Sequence, residues 1–315
     1  NYLLEPTVGA YIVEEPDLAV EEMYIRAFIG SKKCKNKFAS YLGFYDMDEG
    51  IREVEEAAIA SSMQAAMDEE QFVVYFQPKF DIANDRDIGA EALVRWKHPD
   101  TGLMPPKHFI PIFEKNGFIS RLDYYVWEHV CRLIHKWLGD GICLDPITVN
   151  ISRISLYNPR LADILSGLIE QYDVPIGLLN LEITESAYTE NPEQVIETVG
   201  YLRELGFVIE MDDFGSGYSS LNMLKDIDVD VLKIDMQFLS GGESPGKGKI
   251  ILESVIQMAN NLGMPVIMEG VETQEQTRFL YKIGCNYVQG YYYARPMPQE
   301  EYEKKYIYRR KGATL

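Results

Sequence analysis

The sequence is poor in cysteine and histidine, has no long apolar run, and carries no excess of basic residues. Its four cysteines are scattered without a C-x-x-C pair, and its four histidines lack metal-ligand spacing, so a zinc site is not expected. No apolar run approaches the roughly 18 to 20 residues of a membrane-spanning helix, and no secretory leader is visible. We therefore expect a cytoplasmic protein with reduced thiols and no membrane segment in this chain.

Acidic residues dominate the charge. Lys and Arg number 30 against 49 Asp and Glu, which gives a formal net charge of −19. No basic stripe is long enough for duplex nucleic acid, so we expect none as a partner. An anionic substrate would need bound cations to bridge two like charges.

The chain separates into a small N-terminal part and a large remainder. Residues 1–48 show a strand, a helix and a second strand, which is too little to bury a core alone. Residues 49–71 form a predicted linker helix rich in Glu and Ala. Because the chain begins with Asn1 rather than Met, we expect a fragment, with any membrane or sensory region upstream. The main domain is predicted over 72–315.

Apolar strands alternate with amphipathic helices from residue 72 onward. Strand-like segments lie around Val73, Ala90, Val149, Leu181, Ile209, Leu232, Ile267 and Val288. About 240 residues in this alternation match an α/β fold, a modified TIM (β/α)8 barrel. The short turn at 80–87 joins two strands as a hairpin, so we expect the first strand to be antiparallel to the rest. A doubly wound sheet is the alternative, although it would not bring every strand end to one pocket.

Polar side chains close these strands at their carboxyl ends. They are Glu91, Asn150, Glu182, Asp212 with Asp213, Lys233, Glu269 and Gln289. Acids in apolar strands are costly unless they are paired or bound to a metal, and the carboxyl ends of barrel strands meet at one face. A single acid could equally cap a helix or pair with arginine. The whole set predicts a ring of ligands at one end of the barrel.

The oxygen donors of this set favour hard cations, namely Mg²⁺ or Mn²⁺. The predicted metal ligands are Glu91, Asn150, Glu182, Asp212, Asp213 and Glu269. They suffice for two ions that share Asp212 about 4 Å apart, an arrangement that polarises a phosphate and deprotonates a bridging water.

Lys233 should stay protonated among so many acids. We predict that it orients the attacking water or neutralises developing charge, which makes Lys233, Glu269 and Glu91 the candidate catalytic residues. A barrel lyase with a Schiff base at Lys233 is an alternative. It requires a depressed lysine pKa, whereas neighbouring carboxylates raise it.

Seven short motifs surround these positions. They are Glu91-Ala92-Leu93, Val149-Asn150-Ile151-Ser152, Leu181-Glu182-Ile183-Thr184-Glu185-Ser186, Asp212-Asp213-Phe214-Gly215, Leu232-Lys233-Ile234-Asp235, Glu269-Gly270-Val271-Glu272-Thr273 and Gln289-Gly290-Tyr291. In their order and spacing they resemble the EAL-domain phosphodiesterases of bacterial cyclic di-GMP signalling. The resemblance covers residues 68 to 300 approximately.

This resemblance implies a barrel with a reversed first strand, two Mg²⁺ or Mn²⁺ ions and hydrolysis of cyclic di-GMP to linear pGpG. It implies that Gln77 and Arg95 contact the nucleotide and that Gln289 lies beside the phosphate. It assigns Glu185 and Glu272 to holding the loop that follows the Asp doublet. Members of the family often form homodimers. Many members of the family have lost catalysis and serve as receptors. A non-hydrolysing cyclic di-GMP receptor or scaffold is therefore the alternative function, although this chain keeps the whole ligand set.

Residues 1–48 resemble the C-terminal part of a GGDEF-like domain, through the strand at 8–11, the helix at 23–27 and the strand at 41–46. No G-G-D-E-F-like stretch occurs in the sequence. We therefore predict no cyclase activity from this part.

Overall fold

The structure is a computed structural model that describes residues 6–13, 15, 17–32, 41–215, 220–239 and 245–310. The chain divides into two compact units, Asn1–Ala65 and Ala66–Leu315. Among the described helices, none combines the length and the apolar character needed to cross a bilayer.

The first unit contains β1 (Val8–Ala10), α1 (Val20–Lys32) and β2 (Leu42–Phe44). β1 and β2 pair in parallel, and α1 supplies the crossover connection that parallel strands require. The next helix, α2 (Met47–Asp68), contains the point at which the two units divide.

The helix α2 ends at Asp68, whereas the sequence pattern predicted that the linker helix would extend to residue 71. Glu70 adopts a left-handed φ of 54°, and the amide of Gln71 donates to the Ala66 carbonyl at 2.9 Å. This turn satisfies the Ala66 carbonyl at the end of the helix and directs the chain into the first barrel strand.

The second unit contains ten strands among its described residues. They are β3 (Phe72–Asp81), β4 (Arg86–His98), β5 (Gly102–Met104), β6 (Ile147–Asn150), β7 (Leu179–Thr184), β8 (Ile209–Asp212), β9 (Val231–Asp235), β10 (Val266–Glu269), β11 (Tyr287–Val288) and β12 (Met297–Pro298). Eight of these described strands close a barrel in the order β3-β4-β6-β7-β8-β9-β10-β11, because β11 pairs back to β3. β5 and β12 extend the edges of β4 and β3.

The first barrel strand is reversed. β3 is antiparallel to both β4 and β11, whereas β4 and β6 to β11 are parallel to one another. The predicted barrel and its reversed strand are confirmed, and the doubly wound alternative is wrong.

Helices surround the barrel. They are α3 (Ile110–Asn116), α4 (Ile119–Gly139), α5 (Arg153–Leu156), α6 (Leu161–Gln171), α7 (Glu185–Glu190), α8 (Pro192–Leu205), α9 (Ser220–Asp226), α10 (Pro245–Asn261), α11 (Gln274–Lys282) and α12 (Gln299–Tyr302). Their limits follow ordinary signals: α8 begins with Pro192 and stops at a left-handed Gly206, and α11 begins with a Thr273–Gln276 capping box.

The core lies between strands and helices, and each barrel strand is two-faced. On β7, Leu181 and Ile183 are almost completely buried and flank Glu182. Because side chains alternate along a strand, the apolar pair faces the helices while Glu182 points into the barrel. The same alternation on the other strands directs polar side chains inward.

Candidate active site at the carboxyl ends of the barrel strands

Eight polar side chains meet where the parallel strands end. This set, termed the upper ring, consists of Gln77, Glu91, Asn150, Glu182, Asp212, Lys233, Glu269 and Gln289. Each comes from a different barrel strand or from the residue directly after it. All except Asn150 and Glu182 line a cavity of about 340 Å³. The polar residues that the sequence placed at strand ends therefore converge, and the reversed strand adds Gln77. Glu91, Glu182 and Lys233, however, lie within β4, β7 and β9 rather than at their last residues.

Lys233 joins four carboxylates of the ring. Its Nζ lies 2.6 Å from Glu182 Oε2, 2.6 Å from Glu269 Oε1, 3.1 Å from Glu91 Oε2 and 3.7 Å from Asp212 Oδ1. The side chain is only 1% exposed. Burial opposes its charge, but the carboxylates outweigh burial and place the pKa of Lys233 well above its usual value. It is therefore a buried, permanently charged ammonium.

Glu91 is the most connected acid. Besides Lys233, it accepts hydrogen bonds from Asn150 Nδ2 at 3.1 Å and from Gln289 Nε2 at 2.7 Å. Burial opposes ionisation, yet the ammonium groups of Lys233 and Lys79 hold the pKa of Glu91 low, at about 2. Glu91 is consequently a fully ionised acceptor at the centre of the ring.

The remaining acids are less well compensated. Burial and the charge of Glu91 raise the pKa of Glu182 well above its usual value. Burial, followed by repulsion from Asp212 and Glu91, raises the pKa of Glu269 to about 7 despite its contact with Lys233. One ammonium cannot neutralise four carboxylates, of which Glu91 and Glu182 are buried and Asp212 and Glu269 are partly exposed, and the raised pKa values of Glu182 and Glu269 reflect this excess of acids.

Two carboxylate oxygens of the ring are buried without a donor. Glu182 Oε1 and Asp212 Oδ1 lack a hydrogen-bond partner among the described residues. Buried acceptors are rarely left in this state, and a cation is one way to satisfy them.

Asp213 follows directly after β8 and is exposed. Its φ of 56° lies in the left-handed region, where a non-glycine residue costs on the order of 1 kcal/mol. Desolvation of the carboxyl by nearby protein atoms and the charge of the neighbouring Asp212 raise its pKa. A strained acid beside a charged ring is a frequent feature of functional sites.

The carboxylates are not arranged as a ready metal site. Within the described ranges, no three Asp, Glu, His or Cys side chains form a group that could hold an ion. The Lys233 ammonium lies between the carboxylates and contacts them itself. The donor types suit Mg²⁺ or Mn²⁺, and the assignment of the six ligands stays a prediction.

Gln77 and Gln289, two of the predicted substrate contacts, are neighbours in the upper ring. Gln289 Nε2 donates to Gln77 Oε1 at 3.2 Å, and Gln77 Nε2 donates to the Ala294 carbonyl at 3.2 Å. Gln289 Oε1 is buried without a donor in the described part of the chain. These amides present fixed polar groups beside the acids.

Arg95 lies on β4, four residues beyond Glu91. It donates to the Val94 carbonyl at 2.8 Å, and its guanidinium carbon is 5.7 Å from the centre of the Tyr75 ring. Burial lowers its pKa, although it remains cationic. Its predicted contact with a nucleotide stays untested.

The two predicted loop-holding acids differ in their surroundings. Glu185, at the start of α7, is buried and accepts a hydrogen bond from the Gly215 amide at 2.9 Å. Glu272 is exposed and lines the site cavity. Residues 216–219 of the loop lie outside the described residues, so both roles stay predictions.

Gly290 allows the chain beside Gln289 to pack against Val271. A Cβ at this glycine would lie 2.2 Å from the Val271 carbonyl oxygen, closer than any side chain permits. The Tyr292 amide donates to that same oxygen at 3.0 Å. A larger residue at position 290 would displace the strand end that carries Gln289.

A second cavity of about 440 Å³ adjoins the ring and shares Glu91, Leu93 and Asp212 with the first. Its wall is mainly apolar and contains Asp123, which accepts a hydrogen bond from the Ser152 amide at 3.1 Å. Burial raises the pKa of Asp123 to about 6. Sequence reasoning missed this acid because it lies within α4 rather than at a strand end.

A second polar group lies deeper in the barrel and was also missed. This lower cluster consists of Lys79, Thr148, Asn180 and Glu210. Its members lie two residues from Gln77, Asn150, Glu182 and Asp212 on the same strands. Residues two apart share a strand face, so a step of two from each strand end would have found them.

Asp235 lines the site cavity two residues after Lys233. Its Oδ1 accepts a hydrogen bond from the Gln237 amide at 2.5 Å, and its charge contributes to the raised pKa of Asp213. The sequence contained it in a motif, but no role was predicted for it.

Comparison with known proteins agrees with this geometry. The model of the EAL domain matches residues 60–296. The chain therefore belongs to the EAL domain family.

Particular relatives extend this result. The chain is 31% identical over 298 residues to the signaling protein YkoW of Bacillus subtilis, covering 95% of this chain and 36% of that protein. It is 32% identical over 296 residues to the cyclic di-GMP phosphodiesterase NbdA of Pseudomonas aeruginosa, covering 94% of this chain and 38% of NbdA. The chain thus spans somewhat more than a third of the length of these relatives.

The fold is also that of solved structures. The PaMucR phosphodiesterase in complex with c-di-GMP matches with a TM-score of 0.73 and 34% identity, covering 78% of this chain and 99% of that one. The EAL domain of FimX from Pseudomonas aeruginosa, bound to c-di-GMP, matches with a TM-score of 0.69 and 24% identity over 76% of this chain and 96% of that one, which shows the fold alone.

Proposed function

We propose that this chain hydrolyses one phosphodiester of cyclic di-GMP with the help of Mg²⁺ or Mn²⁺ and releases linear pGpG. The upper ring is the observation that carries the proposal, because four carboxylates share one ammonium and two buried carboxylate oxygens lack donors among the described residues. NbdA is named a cyclic di-GMP phosphodiesterase, and the PaMucR structure contains c-di-GMP, which supports the same substrate.

The oxygen donors fit two divalent cations. Glu182 Oε1 and Asp212 Oδ1 are the acceptors that such cations would satisfy first, with Glu91, Asn150 and the neighbouring acids completing the set. When bound, the cations supply Lewis-acid polarisation of the phosphate and a nucleophile at neutral pH. Lys233 contacts Glu91, Glu182 and Glu269 through other oxygens, so these carboxylates would be shared between the ammonium and bound cations.

Lys233 has a different task from the acids around it. In the proposed reaction, water adds to phosphorus, the bond from phosphorus to the 3′ oxygen breaks, and a proton ends on that oxygen. The protonated Lys233 donates hydrogen bonds to the attacking water or to the phosphate oxygens, where negative charge develops. Gln289 Oε1 is a free acceptor close to the same place.

The space beside the ring suits a dinucleotide. The polar cavity of about 340 Å³ would hold the scissile phosphate, and the adjoining apolar cavity of about 440 Å³ would hold a guanine base. We assign Gln77 and Gln289 to the phosphate side and Arg95 to the nucleotide edge.

The test is to incubate the purified chain with cyclic di-GMP in Mg²⁺, in Mn²⁺ and in chelator, and to resolve the products by chromatography. We expect pGpG only with a metal, and none from Glu182→Gln. The exposed Glu253 on α10 offers a matched control, since Glu253→Gln makes the same chemical change away from the ring. Product formation in chelator would contradict the metal requirement.

A non-hydrolysing cyclic di-GMP receptor is the second candidate. It is favoured by the position of the Lys233 ammonium, which occupies the space between the carboxylates. Nucleotide binding in calorimetry, with no pGpG at any metal concentration, would select this function.

Three further proposals rest on the family resemblance. We propose that the chain acts in the cytoplasm, forms a homodimer, and carries at residues 1–48 the end of a GGDEF-like domain. The parallel β1-α1-β2 unit supports the last of these. Sedimentation velocity over a range of concentrations would test the dimer.

A further inference from the structure

The lower cluster contains a buried ion pair that spans the barrel. Lys79 Nζ, from the reversed strand β3, donates to Glu210 Oε2 at 2.5 Å and to Thr148 Oγ1 at 2.7 Å. β8 lies four strands from β3 in the eight-stranded barrel. The Lys79–Glu210 ion pair therefore connects opposite walls of the barrel. Lys79 and Glu210 are only 3% and 1% exposed.

Neutral groups complete the cluster. Thr148 Oγ1 donates to Glu210 Oε1 at 2.9 Å, and Asn180 Nδ2 donates to the same oxygen at 2.9 Å. Both oxygens of Glu210 therefore have donors. Buried charges are tolerated when they are paired and hydrogen-bonded in this way.

The cavity beside the cluster contains one acceptor without a donor among the described residues, the neutral Asn180 Oδ1, and no unmatched charge. It measures about 320 Å³ and includes Arg86 and Asp145, whose charged groups lie 3.8 Å apart. The charges around it are matched one to one, namely Lys79 with Glu210 and Arg86 with Asp145. A role toward the upper ring is the better account.

The distance between the two layers is short. A step of two residues along a strand is about 6.6 Å, so the backbone positions of Lys79 and Glu210 lie roughly that far from those of Gln77 and Asp212 in the ring. A net charge at this depth acts on the ring with little screening by solvent or salt.

We propose that Glu210 sets the affinity of the upper ring for divalent cations by neutralising Lys79. The inference rests on the proposed metal-dependent function. Lys79 braces the reversed strand against the opposite wall, and without Glu210 its charge would repel cations from the ring. Glu210 is thus a positioning residue rather than a ligand, because it acts through Lys79.

Charge balance predicts a pattern in three variants. Glu210→Gln leaves an unpaired ammonium beneath the ring, and we expect Mn²⁺ affinity to fall by roughly tenfold. Lys79→Met leaves a carboxylate that keeps its charge or takes up a proton, so affinity does not fall. The double variant Lys79→Met/Glu210→Gln is neutral, and its affinity should return to within about threefold of the wild type.

The measurement is calorimetric titration of Mn²⁺ into each purified chain, with near-ultraviolet circular dichroism to check folding. Asp145→Asn is the control, since it removes a partly exposed charge from the rim of the same cavity. Equal losses in both single variants without recovery in the double would reduce the pair to structural support and overturn the inference. So would wild-type affinity in Glu210→Gln.

The outcomes separate this inference from the proposed function. If the wild type binds no Mn²⁺, the metal-dependent function itself fails. If Glu210→Gln does not fold, the double variant carries the test alone, and a loss greater than about threefold in its affinity contradicts the inference.

Discussion

The upper ring and the lower cluster are built on the same strands but balance charge differently. In the ring, four carboxylates share Lys233, whereas in the cluster Glu210 meets Lys79 alone. Both oxygens of Glu210 have donors, while two buried carboxylate oxygens of the ring have none among the described residues. Burial is common to both layers, so unmatched charge, rather than burial, distinguishes the candidate site from its support.

We expect the buried lysines Lys233 and Lys79 to differ most in their contribution to catalysis. Replacing Lys233 by Met removes the ammonium proposed to stabilise developing charge, and we expect hydrolysis to slow by about a thousandfold. Binding of cyclic di-GMP should change by less than about threefold, because the ring's acids and amides remain. Rate and dissociation constant are measured separately, with the exposed Lys282→Met as control. Equal losses in both quantities would assign Lys233 to ground-state binding instead.

Substitution of Glu91 tests whether the carboxylates of the upper ring are ligands of metal ions. Glu91→Ala removes the acceptor shared by Lys233, Asn150 and Gln289, and we expect Mn²⁺ affinity and turnover to fall at least about a hundredfold. Glu91→Gln keeps a side chain of the same size and should lose less affinity. Mn²⁺ titration followed by product analysis measures both effects. Full activity in the alanine variant would refute the metal assignment.

Asp123 is an acid in the wall of the adjoining cavity and belongs to neither the upper ring nor the lower cluster. Its pKa is about 6 in the folded chain against an ordinary 3.8, so the folded state binds more protons between these values. Its contribution to stability is therefore present below pH 4 and is lost as pH rises through about 6. Asp123→Asn should gain on the order of 2 kcal/mol relative to wild type between pH 4 and pH 7.

Urea unfolding of the metal-free chains across this pH range measures the gain. The asparagine keeps an acceptor for the Ser152 amide, so the variant isolates the titration from the hydrogen bond. Identical pH slopes for the two chains would mean that Asp123 is not held protonated by burial.

The smallest expected effect concerns the lower cluster. Thr148→Val keeps the side-chain shape but removes the hydroxyl between Lys79 and Glu210, and we expect a loss of about 1.5 kcal/mol in stability. Turnover should stay within about twofold, since both charges remain. Chemical denaturation and the product assay give the two quantities, with the exposed Thr101→Val as control. A large fall in turnover at full stability would show that the Thr148 hydroxyl acts on the ring beyond the charge balance of Lys79 and Glu210.

Much of the barrel could be predicted from the sequence because its signals are local. Apolar strand runs, helix-limiting residues such as Pro192 and Gly206, and the short turn before β4 gave the barrel and its reversed first strand. The strand ends were visible because each replaces an apolar residue by a polar one. Their convergence then follows from the parallel order.

The rest depends on contacts between distant parts of the chain. That Lys233 would join four carboxylates, and that no group of acids within the described residues is arranged to hold an ion, are matters of distance that spacing does not contain. The pairing of Lys79 with Glu210 crosses 131 residues of sequence. Asp123 reaches the adjoining cavity from a surrounding helix, so no strand pattern could locate it.

The alternation of side chains on β7 also limits how such a chain can change in length. Leu181 and Ile183 flank Glu182, so inserting a single residue into β7 would turn the acid toward the helices and an isobutyl or sec-butyl group toward the inside of the barrel. Insertions of two residues would preserve the faces but lift one ring member out of its plane. Length variation is therefore tolerated in the connections and excluded from the strands, which makes the inner wall the fixed frame on which loops can diversify.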